Sequence, residues 1–436
     1  MKHNPRTRAV LAATTIAIFG LGLAACSSPA ASDSADGPSE PVEITFSSWL
    51  RGSEEVVAAF NDAQDDVEVT FKQVASAKDN YTQISNEVEA GTAPDVVTIE
   101  YPRVSEMATQ GVIQDITESA GDLVAEGFSP SVQSLVNFGG KTWSVPLDAG
   151  VLEFYYRADL FEQYGIEVPT TWEEYHAAAA KVAAADPNVR LGASILGDPA
   201  LYAAVAWQNG ATWSTVEDDA WSIDIDGSET TEAAAFHQGL IDEGLVWTDE
   251  AEVLAQKQAA GQLLSVVSGA WYGAGLASTY PEQAGMWKVA QVPSPTDEPS
   301  SAMYGGSSFA VTRDSEKTEA AVEFIRWMTT DPAGIEARIS LGASTVFPVN
   351  EDARAAAVEA FDPTFYGGQD IYEIAAASLE SIPEGWVWGP ATPTTFTSLS
   401  DGSAAVRAGS AKLQDIFADA QDATVEDLEN RGISVD

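Results

Sequence analysis

Three stretches set aromatic rings beside charged or hydroxyl-bearing residues just past or just before an apolar run. Trp49 and Arg51 follow residues 42–46, Glu100 and Tyr101 follow residues 94–99, and Tyr304-Gly305-Gly306-Ser307 leads into residues 308–312. A fourth stretch, Pro383-Glu384-Gly385-Trp386-Val387-Trp388-Gly389-Pro390, holds Trp386 and Trp388 in a loop-type context, where an exposed aromatic pair needs a purpose. Such groups suit a hydroxylated solute with apolar C–H faces. Flat rings stack on the faces, and fixed acceptors take the hydroxyls, a charged acceptor contributing roughly 1.5–3 kcal/mol. Loops at the carboxyl ends of strands are also where open α/β sheets hold ligands. Tryptophan is a packing residue first, so about half of the rings are expected in the core. Trp172 at a helix start and Trp327 inside a helix belong there, and Trp207 and Trp213 are weaker candidates than the loop residues.

Other chemistries have little to work with. His3, His176 and His237 are the only histidines and Cys26 the only cysteine, so no disulfide framework exists, and no metal site or cofactor is expected. A serine-hydrolase G-x-S-x-G elbow is absent. Gly139-Gly140-Lys141-Thr142 imitates a phosphate loop, but the motif needs another glycine where Leu135 stands. Tyr155-Tyr156 imitates a phenolate pair for ferric ion; on a strand the two would point to opposite faces, leaving one in the core. A glycoside hydrolase remains a rival, requiring two carboxylates ~5–9.5 Å apart. Nucleic acid is excluded as a partner, because 66 acids stand against 21 bases in a 436-residue chain.

The elements that must position these residues read as α/β. Val42, Ile44 and Phe46 alternate with polar residues, as do Val67, Val69 and Phe71, and between them Val56, Ala59, Phe60 and Ala63 mark one face of a helix with Ser53 as its expected N-cap. A second helix carrying Tyr81, Ile84 and Val88 stops at Gly91, before the doubly buried strand pattern of residues 94–99. Thr171 and Glu174 predict a capping box opening an Ala-rich helix. Further helices are expected over residues 316–330 and 411–420, and strands over 263–267 and 308–312.

The chain begins with Lys2, Arg6 and Arg8 and an apolar run over residues 9–25, the pattern of a secretory leader. The run ends in Leu23-Ala24-Ala25-Cys26, which resembles the bacterial lipobox, in which the cysteine is lipidated and becomes the first mature residue. Residues 1–25 are read as signal peptide and 26–41, rich in Ser, Ala, Pro, Asp and Gly, as a flexible tether. Setting aside the leader's three bases leaves 18 against 66 acids and changes the formal charge from −45 to −48.

Several motifs, in order along nearly the whole mature chain, resemble those of the family 1 extracellular solute-binding proteins, the sugar-receptor lipoproteins of ABC importers. They are Gly91-Thr92-Ala93-Pro94-Asp95-Val96-Val97; Gly140-Lys141-Thr142-Trp143-Ser144-Val145-Pro146 followed by Tyr155-Tyr156-Arg157-Ala158-Asp159-Leu160-Phe161; Pro169-Thr170-Thr171-Trp172-Glu173-Glu174; Ser268-Gly269-Ala270-Trp271; and Gly305-Gly306-Ser307-Ser308-Phe309-Ala310-Val311. Arg157-Ala158 and Trp143 depart from the usual Asn-Lys and Tyr.

The resemblance implies a two-lobed α/β fold of the periplasmic-binding-protein type, each lobe a sheet flanked by helices, with the ligand in the cleft between. The N-terminal lobe would comprise residues 42–148 plus 296–330 and the C-terminal lobe 149–295 plus 331–436, with crossings near Leu147 to Gly150, Val292 to Pro295 and Thr330 to Pro332. It adds Asp148, at the first crossing, and Trp271, at a position where the family commonly stacks a ring. The implied function is capture of a carbohydrate, an oligosaccharide, by lobe closure, with no catalysis. Delivery would be to permease subunits served by a separate ATPase chain, from a monomer anchored through Cys26 to the outer face of the cytoplasmic membrane. A cationic solute such as a polyamine is the alternative ligand, since acidity would attract it. A sugar phosphate fits poorly with a charge of −48 unless a local basic pocket overrides the mean.

Overall fold

Parallel pairing of the two alternating segments starts the first sheet of the computed structural model, which describes residues 40–217, 220–339 and 347–435. β1 (Val42–Ser48) and β2 (Val67–Gln73) set Ile44 beside Val69 and Phe46 beside Phe71. β3 (Val96–Glu100) runs parallel on the other side of β1, and its unbroken apolar run is buried as expected of a central strand. β4 (Val145–Pro146) is the last strand before the chain moves to a second sheet, formed by β5 (Leu152–Arg157), β6 (Ser265–Gly269) and β7 (Trp287–Gln291). β8 (Ser307–Val311) then returns to the first sheet, antiparallel to both neighbours, giving the order β2-β1-β3-β8-β4. The second sheet is antiparallel with β5 in its centre. Two sheets with helices packed on each make the fold a two-lobed α/β architecture.

Three chain segments run side by side where the sheets meet. The amide of Leu147 donates to Ser307 at 3.0 Å, that of Ala149 to Phe347 at 2.9 Å, and that of Tyr304 to the carbonyl of Gly150 at 2.7 Å. A Cβ on Gly150 would stand 2.6 Å from the Tyr304 carbonyl oxygen, so only glycine lets these backbones approach so closely. The segment Val292-Pro293-Ser294-Pro295, expected as a crossing, instead lies along a lobe helix: Trp172 donates to the Ser294 carbonyl and Ser294 to that of Thr170, at 2.9 and 2.8 Å. The helix Pro332–Ile339 packs on Ser53–Ala63 and Thr318–Thr330, beside the first sheet, whereas Ile371–Glu380 packs on β7 and β5.

Local signals resolved with small differences. The helix Ser53–Ala63 starts one residue earlier than an N-cap at Ser53 requires; Gly52, with φ 82°, precedes it, and Ser53 Oγ donates back to the Leu50 carbonyl at 2.8 Å. Thr171 Oγ1 does accept from the amide of Glu174 at 3.2 Å, but the Glu174 carboxylate reaches the amide and hydroxyl of Thr170 rather than the backbone of Thr171. Gly139 and Gly140, at φ 58° and 69°, form the turn between the short strands Asn137–Phe138 and Lys141–Thr142, which accounts for the false phosphate-loop pattern. Among the described residues no helix is long and apolar enough to cross a membrane, and no group of three metal-ligating side chains occurs. The leader, Cys26 and the tether up to residue 39 lie outside the described residues.

Candidate ligand-binding site

At the carboxyl end of β1 the chain turns sharply, and hydrogen bonds fix the turn. Ser48 Oγ accepts from the Leu50 amide at 3.0 Å and from Thr98 Oγ1 at 2.8 Å, which ties β1 to β3. This holds the half-buried Trp49 edge-on to Tyr81, ring centres 6.0 Å apart, and leaves Arg51 exposed. At the end of β3, Glu100 accepts from the Tyr81 hydroxyl at 2.9 Å. Burial raises the Glu100 pKa, the Tyr81 hydrogen bond and Arg103 oppose that rise, and the charge of Asp198, from the other lobe, adds to it.

Trp271 faces this edge from the end of β6. It is 45% exposed, the largest exposed apolar ring among the described residues. Its Nε1 donates to the Tyr304 carbonyl at 3.0 Å, so the edge is satisfied and the face is what remains on offer. A Cβ on Gly269 would lie 2.4 Å from that nitrogen; the glycine of Ser268-Gly269-Ala270-Trp271 is there to seat the indole. Tyr304 is held in turn by its hydroxyl, which donates to Asp198 at 2.6 Å, while Asp198 also caps the helix Pro199–Gln208 through the Ala200 amide.

Trp49, Arg51 and Trp271 share a cavity of about 400 Å³ with Leu147 and Pro348 from the crossing segments and Arg338 from the helix Pro332–Ile339. A second cavity, about 580 Å³, also reaches Trp271 and is bounded by Tyr304, Asp198 and Ser268. Trp271, Tyr272 and Gly275 border both, so the cleft continues around one indole. These volumes match the range of small-molecule sites.

The other sequence-selected residues occupy different positions. Tyr101 is fully buried and donates to the Asp148 carbonyl at 2.8 Å; the Asp148 carboxylate accepts from the Ser307 amide; and a Cβ on Gly306, φ 107°, would strike the Tyr101 ring at 2.7 Å. Tyr101, Asp148, Gly306 and Ser307 thus hold one another in place at the crossing. Burial pushes the Asp148 carboxyl up to about 6, against the Ser307 amide and the charge of Arg338, which favour ionisation.

Trp207 and Trp386 stack with ring centres 5.0 Å apart and planes 9° apart, at 1% and 0% exposure, and Trp388 packs edge-on against Trp386. No face of these three indoles is open, because each supplies core packing to the lobe that carries the C-terminal helices. Tyr155 is in the core, donating to Glu153 at 2.6 Å, and Tyr156 is half-buried, the split that strand geometry requires.

Sequence reasoning missed Asp198 and Arg338. Asp198-Pro199 carries an N-cap signal that could have drawn notice, whereas nothing in the local pattern distinguishes Arg338 from a surface base.

Two lobes with a solute-sized cleft where their sheets meet, walled by one exposed indole, define a solute receptor. Residues 47–335 match the family of bacterial extracellular solute-binding proteins, and the chain belongs to it; it is an extracytoplasmic binding protein rather than an enzyme. The lactose-binding protein of Rhizobium radiobacter is 26% identical over 67% of this chain and 69% of its own. Among solved structures, the galacto-N-biose/lacto-N-biose I-binding protein of the Bifidobacterium longum ABC transporter, in complex with lacto-N-biose, superposes with a TM-score of 0.78 at 26% identity, covering 92% of this chain and all of that one. The ABC-transporter-associated binding protein of B. animalis subsp. lactis Bl-04, in complex with β-1,6-galactobiose, gives 0.76 at 26% identity, covering 91% and 99%.

Proposed function

We propose that this protein is the substrate-binding component of an ABC importer that captures a carbohydrate, an oligosaccharide, between its lobes and delivers it to membrane permease subunits driven by a separate ATPase chain. The observation that carries the reading is Trp271: an indole with its N–H already engaged, 45% exposed, and bordering two cavities. Trp49, Arg51, Glu100, Trp271 and Tyr304 are the proposed contacts, joined by Asp198. Tyr101, Asp148, Gly306 and Ser307 are proposed as the brace of the hinge.

The lobe division follows the sheets. In this reading residues 42–146, 307–339 and 347–360 go with the first and residues 152–301 and 371–435 with the second, which would put the return crossing at 302–306 and the third at 361–370.

A thermal-shift and intrinsic-fluorescence screen over mono- and oligosaccharides tests the function, with spermidine and ferric citrate as controls. A saccharide that raises Tm and changes Trp emission is expected, and Trp271→Ala is expected to abolish both effects. Unchanged affinity in that variant would remove Trp271 from the site, and stabilisation by spermidine alone would overturn the carbohydrate reading.

Lipidation of Cys26 is proposed to keep the monomeric protein at the outer face of the membrane, since two or three acyl chains anchor stably where one does not. Cys26→Ala should shift the protein from the membrane fraction to the soluble one; retention on the membrane would refute the anchor.

A further inference from the structure

The cavity beside Trp49 reverses the charge of the molecule around it. In a chain with three times as many acids as bases, its lining contains Arg51 and Arg338 and no carboxylate among the described residues. Arg51 is exposed at the rim. Arg338 is the unusual one: all three guanidinium nitrogens are shielded from solvent, and none has a hydrogen-bond partner among the described residues. Its helix is held firmly, because Ile335 is buried and Gly334 approaches the Trp327 carbonyl so closely that a Cβ there would be 2.2 Å from its oxygen. The charge of Asp148 acts on Arg338, yet the two form no ion pair. Burial, opposed by the charge of Asp148, lowers the Arg338 pKa to about 10, still fully protonated near neutral pH.

A guanidinium offers five donors in a planar fork, and a buried polar group in a native protein is ordinarily satisfied. One left unsatisfied in the wall of a cavity is poised for a partner that arrives from solution. Neutral hydroxyls accept hydrogen bonds but add no counter-charge to the one Asp148 supplies without pairing, whereas a carboxylate or phosphate does both and matches the fork bidentately. The negative field of the whole molecule slows the approach of such a group, but over distances beyond ~8 Å salt screens it, so the local guanidinium decides the bound state.

We infer that this cavity takes the anionic end of an acidic saccharide, a carboxylate or a phosphate ester, with Arg338 as bidentate donor and Arg51 covering it from the rim while the adjoining ring stacks on Trp271. The inference rests on the carbohydrate reading and specifies the ligand class of the same site.

Calorimetric titration of the full mature chain with digalacturonate, galactose 6-phosphate and neutral β-1,6-galactobiose tests it, on the wild type, Arg338→Gln and Arg338→Met. An acidic probe is expected to bind about ten- to a hundredfold more tightly than the neutral one, the usual range for charge-assisted hydrogen bonds. The better acidic probe identifies carboxylate or phosphate as the group. That advantage should shrink as salt is raised and vanish in Arg338→Gln. Ligand-free Arg338→Met should melt close to the wild-type temperature, because the desolvation penalty it relieves is set against the lost attraction of Asp148. A drop in Tm for both variants would mark Arg338 as a structural group and overturn the inference. Equal or tighter binding of galactobiose, unchanged in Arg338→Gln, would also overturn it while leaving the carbohydrate reading intact. Failure of all three probes and of the wider saccharide screen would sink both.

Discussion

Asp148 shows how a side chain chosen for one role can serve another. Its position at the first crossing suggested a ligand acceptor, but its carboxylate is spent on the Ser307 amide, inside the strut formed by Tyr101 and Gly306. Burial raises its pKa from 3.8 to about 6, so between those values the folded protein binds the proton more tightly than the unfolded chain. Stability from this group is therefore fullest below about pH 4 and falls as pH rises through about 6, by up to about 3 kcal/mol. Asp148→Asn keeps an acceptor for the Ser307 amide and removes the titration. Its denaturation free energy, relative to wild type, should rise between pH 4 and 7, and a constant difference across that range would show that Asp148 is ionised throughout.

Among elements, the crossing segments carry the most consequence for the least chain. Gly150 faces the carbonyl of Tyr304 and the backbone of Gly305, neither of which can yield as a flexible side chain could. Gly150→Ala must separate the two segments, and since Tyr304 and Gly305 also seat Trp271, the variant should lose about 1–3 kcal/mol of stability and bind saccharide more weakly. Calorimetric Tm together with titration checks this; wild-type values for both would mean the segments are free to part.

The sequence made the sheets legible but not these crossings. Periodicity at two in residues 42–46 and 67–71 and the apolar run of β3 announced strands that do pair, because burial of one or both faces leaves a pattern along the chain. Val292-Pro293-Ser294-Pro295 was misleading for the complementary reason. Proline suits a linker, and it suits equally a segment lying alongside a helix start, a distinction that depends on long-range pairing with Thr171. The site divided the same way. Trp49 and Trp271 follow strand ends and reach the cavity. Trp386 and Trp388 sit in a Gly- and Pro-rich stretch that reads as a surface loop, yet the lobe folds over them with Trp207. Arg338 left no trace, since its place in the cavity comes from the packing of its helix on Ser53–Ala63, far away in sequence, as well as on the preceding helix Thr318–Thr330.

For the whole molecule, the two lobes must move for a ligand to enter a cleft walled from both sides. The lobes also touch away from the crossing: Phe138, stacked on Trp143 at 5.4 Å, lies 6.4 Å from Trp221 of the other lobe, and the helix Thr392–Arg407 meets Tyr101–Thr109. A solute bridging the two lobes would shift the balance by its differential contacts with the closed form. At a hundredfold excess over Kd such a ligand adds about 2.7 kcal/mol to stability, and Tm should rise by several degrees. Closure would also draw the lobes together, so small-angle scattering should give a smaller radius of gyration with the saccharide than without it. Binding that raises Tm with no contraction would place the ligand within one lobe, in the cavity bounded by Tyr304 and Asp198, and would assign lobe movement no part in capture.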